Sequence, residues 1–165
     1  MAGNGHTITV NVEVEPWLHK FLEVELGPSP WKCTMDHYEG KVLFANFTGK
    51  YRQPQRWIKR RDKGVYQIII PWKYIHQWGL VHLPQESIDH FVDYQQRKFT
   101  RQLILWVESR ITINPELRKQ IQIKDAIFSF CEKFGISEDD VAYETLKKRV
   151  FRNLMQKKQA EVIIS

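Results

Sequence analysis

The 165-residue sequence predicts an α+β fold, strand-rich before about residue 80 and helical after it. Three observations carry that reading. Thr7–Glu15 alternates strictly, with Ile8, Val10, Val12 and Val14 on one face. Val65–Pro71 is rich in β-branched and aromatic residues. From Pro84 onward the apolar residues recur at helical spacing instead. Hydrophobic residues make up 42% of the chain, enough for the core of one domain, so disorder is excluded as a global description. The expected division is a strand-rich part, 1–83, and a helical part, 84–165.

After the first strand, Pro16 suits the first turn of a helix whose apolar side is Trp17, Leu18, Phe21, Leu22 and Val24. Gly27-Pro28-Ser29-Pro30 breaks the chain, and Trp31–Tyr38 contains a further short extended piece. Lys41–Phe47 and Val65–Pro71 read as two antiparallel strands, so the N-terminal sheet is expected to be small and antiparallel, with a long arm at the hairpin between Gly49 and Gly64. Pro71–Leu83, with Trp72, Tyr74, Ile75 and Trp78, is expected to pack on that sheet. Ile88, Phe91, Val92, Phe99, Leu103, Trp106 and Val107 define one helix of about 25 residues. Asn114-Pro115-Glu116 has the chemistry of an N-cap and first turn, opening a helical region through Phe134 with a candidate break at Ile121–Lys124. Gly135 stops it. Ser137 with Asp140 resembles a capping box that would open a last helix to about Lys158.

Charge is unevenly placed. Residues 50–63 hold Lys50, Arg52, Arg56, Lys59, Arg60, Arg61 and Lys63 against Asp62, a net of +6 that equals the net charge of the whole chain. Tyr51, Gln53, Gln55 and Trp57 are interleaved with these cations. Cations neutralise phosphates, aromatics stack on bases or enter a groove, and amides bond base edges, so the segment reads as a nucleic-acid contact. The competing reading is a solvated loop with Trp57 and Ile58 folded onto the core.

Ala126–Arg152 places small Cys131, then Gly135, then Ile136, Val141 and Leu146 at the spacing of two helices crossing at a turn. The stretch F-G-I-S-x-x-D-V followed by K-K-R resembles the helix–turn–helix of bacterial replication-initiator C-terminal domains and of small phage or mobile-element regulators. The resemblance spans 120–152. It implies double-stranded DNA as partner, a regulatory or replication-accessory role in a phage or mobile element, and Tyr143, Lys147, Lys148, Arg149 and Arg152 on the contact surface. A homodimer is left open. The competing reading of 120–152 is a structural helical hairpin, because Glu138, Asp139 and Asp140 would open the second helix, where base contacts are usually made and where the helix dipole accounts for carboxylates.

No catalytic arrangement is evident: there is no phosphate-cradling glycine loop, no nucleophile elbow and no Cys/His pair at reactive spacing. No cofactor is expected. Cys33 and His37 could form half a metal site, but no second close pair accompanies them, and no metal is expected. Asp89 and Asp93 share a helical face, which keeps a metal-dependent nuclease as a third reading. The second is a protein-interaction or self-dimerising module whose aromatic surface would be centred on Phe99, Leu103, Trp106 and Val107. With no apolar run longer than Leu103–Val107, two distant cysteines and no basic or apolar leader in Met1–His6, a cytoplasmic protein without membrane contact is the expectation.

Overall fold

The computed structural model describes residues 7–45, 64–78, 83–111 and 119–164. The elements run β1 (Thr7–Val14), α1 (Pro16–Glu25), β2 (Trp31–Lys32), α2 (Tyr38–Phe44), β3 (Gly64–Pro71), α3 (Trp72–Trp78), α4 (Gln85–Ile111), α5 (Lys119–Lys133) and α6 (Tyr143–Ile164). The α+β class therefore holds. The chain forms two compact units, Met1–Gln95 and Gln96–Ser165, with the boundary inside α4.

In the first unit β3 is the central strand of a three-stranded sheet ordered β1-β3-β2. β1 lies antiparallel to it, with Val10 opposite Ile68 and Val12 opposite Tyr66. The period-two pattern puts Val10, Val12 and Val14 on a buried face together with Tyr66, Ile68 and Ile70. α1 brings Trp17, Leu18, Phe21 and Leu22 into the same core. Pro16 occupies its first turn, where a missing N–H costs nothing. The Tyr66 hydroxyl donates to Gly27 O at 2.8 Å, tying the central strand to the end of α1.

Two expectations fail here. The sheet is mixed, because β2 runs parallel to β3 through Trp31 and Lys32. Lys41–Phe44, read as a strand, is instead the second half of α2. Val42, Leu43 and Phe44 are all buried, which consecutive residues of a one-faced strand cannot achieve. Gly40 makes this possible: a Cβ there would collide with the Thr34 carbonyl oxygen. The expected hairpin therefore has no first strand among the described residues.

The second unit is helical. α4 contributes Phe99, Leu103, Ile104 and Val107 to its core, α5 contributes Ile123, Ala126, Ile127 and Phe130, Phe134 follows directly after α5, and α6 contributes Leu146 and Val150. Phe130 is the hub, edge-on to Phe99 at 5.4 Å and tilted against Phe134 at 4.9 Å. α5 runs without a break through 121–124. It ends in a Schellman motif, with Gly135 N–H donating to Glu132 O and Ile136 N–H to Cys131 O. Gly135 has φ +63°, the left-handed conformation that this cap needs.

The last helix begins at Tyr143, later than expected. The Asp140 carboxylate accepts from both the backbone N–H and the hydroxyl of Ser137, at 2.7 and 2.8 Å. That closes a local turn, so the would-be capping pair terminates itself rather than starting α6. Glu138, Asp139 and Asp140 consequently lie in the connection and not on the helix.

Candidate nucleic-acid interface

Lys50, Arg52, Arg56, Trp57, Lys59, Arg60, Arg61 and Lys63 lie outside the described residues. The other five sequence-derived contact residues sit on α6, and the helix sorts them. Leu146 and Val150 are buried one turn apart and define its inner side. At about 100° per residue, Lys148 and Arg152 fall on the opposite side, and both are exposed. Arg149 falls on one flank, half-buried, where burial pushes its guanidinium below its usual value. Tyr143, Lys147 and Phe151 follow one another on the other flank, each a turn apart.

That second flank faces α5. The Tyr143 ring stacks on Phe128 of α5, with centroids 5.3 Å apart and planes 11° from parallel. Lys124 Nζ lies 5.8 Å from the Phe128 ring centre and Lys147 Nζ 5.7 Å from that of Tyr143. Phe128 is 45% exposed, so the stack is open to solvent rather than part of the core. The rings border a groove of about 660 Å3 whose apolar lining is completed by Ile123 and Phe151. Lys124, Lys147, Glu138 and Glu144 supply its polar lining. Lys147 reaches Glu144 at 3.2 Å, an exposed pair of the kind worth only ~0–1 kcal/mol and readily given up. Behind the rings, Cys131, Ile136 and Val141 help to line a pocket of about 40 Å3, with the Cys131 thiol pushed up to about 11 by burial.

A second aromatic–cation assembly belongs to the same unit. Trp106 lies between Arg110, 4.4 Å from its ring centre, and Lys133 at 5.2 Å. Its indole N–H donates to Ser129 Oγ at 3.0 Å, so the ring is held in one orientation. Asp125 and Glu132 are exposed on α5.

The other candidate residues do not assemble. Cys33 is fully buried, and burial pushes its thiol up to about 12, whereas His37 is exposed and stacks on Trp31 at 6.0 Å. Asp89 and Asp93 are both exposed, and Asp89 accepts from Gln85 Nε2 at 3.0 Å. Among the described residues no three His, Cys, Asp or Glu come together as metal ligands. Phe99, Leu103 and Val107, proposed from the sequence as an outward aromatic surface, are fully buried in the helical core, and Trp106 is half-buried beside them. No helix among the described residues is long and apolar enough to cross a membrane.

Comparison with protein-family models, with curated proteins and with solved structures gave no match to this chain. The sequence reading missed Lys124, Phe128 and Phe151. Their signal is the one-turn spacing Lys124–Phe128 and Tyr143–Lys147–Phe151, but that these two rows face each other is shown only by the stacking of Phe128 on Tyr143.

Proposed function

We propose that this protein binds nucleic acid, with α6 as a phosphate-contacting element. The observation that carries the reading is the placement of charge on that helix. α6 holds six cations against two acids, and Lys148 and Arg152 stand one turn apart on its solvent side. The basic segment 50–63 supports the same reading from the sequence, since it adds seven further cations. Double-stranded DNA and a regulatory or replication-accessory role are what the helix–turn–helix resemblance adds. The connection from Phe134 to Ala142 is nine residues, against the three or four of a helix–turn–helix. We therefore assign α6 to the backbone rather than to base edges in a groove.

The test is a salt titration of binding to duplex DNA, followed by fluorescence anisotropy. Log affinity should fall linearly with log salt, by ~0.9 for each phosphate contacted. The double variant Lys148→Ala/Arg152→Ala should bind all sequences more weakly and lower that slope by about 2. A flat salt response in the parent protein would refute the reading.

A further inference from the structure

We infer that the groove between α5 and α6 takes an unpaired nucleobase, stacked on the Tyr143–Phe128 pair, while the flanking phosphates run to the cations of α6; this rests on the nucleic-acid reading above. Three features of the groove lead to it. Its apolar lining holds the Tyr143–Phe128 stack, whose rings cover each other at 5.3 Å, so a base would lie on the outer face of the pair, where Phe128 is 45% exposed. Its volume, about 660 Å3, lies within the ~300–1,000 Å3 range of pockets that hold small molecules. Its charge is balanced, Lys124 and Lys147 against Glu138 and Glu144, so the interior suits a neutral flat group better than a phosphate. The phosphate sites lie just outside it, because Lys148 and Arg152 occupy the next face of the same helix.

The lysines now covering the rings do not obstruct this. An exposed ammonium over an aromatic face is held more weakly than a base stacked on one, and both side chains are long enough to swing to a neighbouring phosphate. The two carboxylates then have a defined role. Glu138 and Glu144 can accept hydrogen bonds from an exocyclic amino group, which favours cytosine over thymine as the bound base. A single strand, a bulge or a flipped-out base presents that group together with a free face for stacking, whereas an intact duplex shows only the edges of its bases.

The test compares three probes by fluorescence anisotropy: an oligo-deoxycytidine of about 15 nucleotides, an abasic oligonucleotide of equal length, and a duplex. The abasic strand keeps the phosphates and removes only what the groove would hold. The cytidine strand should bind about 5- to 150-fold more tightly than the abasic strand, the range expected for one base–aromatic stack. Tyr143→Ala/Phe128→Leu should abolish that difference and leave abasic and duplex binding unchanged. Lys148→Ala/Arg152→Ala should weaken all three probes alike. Equal binding of cytidine and abasic strands overturns the base site while leaving phosphate binding intact. Salt-insensitive or undetectable binding of every probe overturns both. If the aromatic variant changes only self-association, measured by sedimentation, the groove is a protein contact and the inference fails.

Discussion

Cys33 shows how a single buried group couples this fold to pH. Its thiol is fully enclosed in the first unit, beside the close approach of Gly40 to the Thr34 carbonyl. Burial disfavours the thiolate and pushes the group up to about 12, whereas in the unfolded chain it titrates at ~8.5. Between those values the unfolded chain has released a proton that the folded chain retains. The stabilising contribution is complete below the lower value and is lost as pH rises toward the upper one. Tyr66 is raised too, first by burial and then by Glu23, and acts in the same direction. The urea midpoint should therefore fall as the solution is taken from pH ~8.5 to ~11. Cys33→Ala, less stable at neutral pH because of the cavity it leaves, should show a shallower alkaline decline. Identical declines in the two proteins would remove Cys33 as a source of the effect.

At the level of elements, what was legible in the sequence is what local chemistry decides alone. The alternation of β1, Pro16 at the start of α1, the long apolar stripe of α4 and Gly135 at the end of α5 each specify one outcome. The errors arose where a distant contact decides. Lys41–Phe44 has strand composition, yet it is helical because Gly40 lets it press onto the loop at Thr34. Ser137 and Asp140 have capping-box chemistry, yet they close on each other, and α6 starts at Tyr143. The groove was hidden for the same reason: the cations of α6 were legible by counting, but which flank of the helix meets α5 is decided by the distant contact of Tyr143 with Phe128. α4 carries one further departure from pattern. Gln95 lies fully buried on its apolar stripe, and neither amide atom has a hydrogen-bond partner among the described residues. A buried polar group left unsatisfied costs about 1–3 kcal/mol, so Gln95→Met, of similar length and apolar, should stabilise the protein by about that amount in urea unfolding. A loss of comparable size would show that the amide is hydrogen-bonded in solution.

For the molecule as a whole, the question is whether its two basic elements act on one nucleic acid at once. Segment 50–63 and α6 belong to different units and are far apart in sequence. Long-range attraction alone would let either element draw in a polyanion, and ionic strength would screen that attraction over about 8–10 Å. Direct phosphate contact differs in leaving a countable trace, since each contact releases counterions and adds ~0.9 to the salt slope on duplex DNA. Replacing Arg56, Lys59, Arg60 and Arg61 together by alanine removes up to four contacts, and the α6 pair Lys148→Ala/Arg152→Ala removes up to two. If both elements grip the same duplex, each set lowers the slope, and the combined variant lowers it by the sum, because distant sites without shared partners add in free energy. If the arm set leaves affinity and slope unchanged while the α6 set lowers both, binding resides in the helical unit alone. Slope and affinity are read in the same titration, so a variant that merely unfolds is recognised by its loss of binding at every salt concentration.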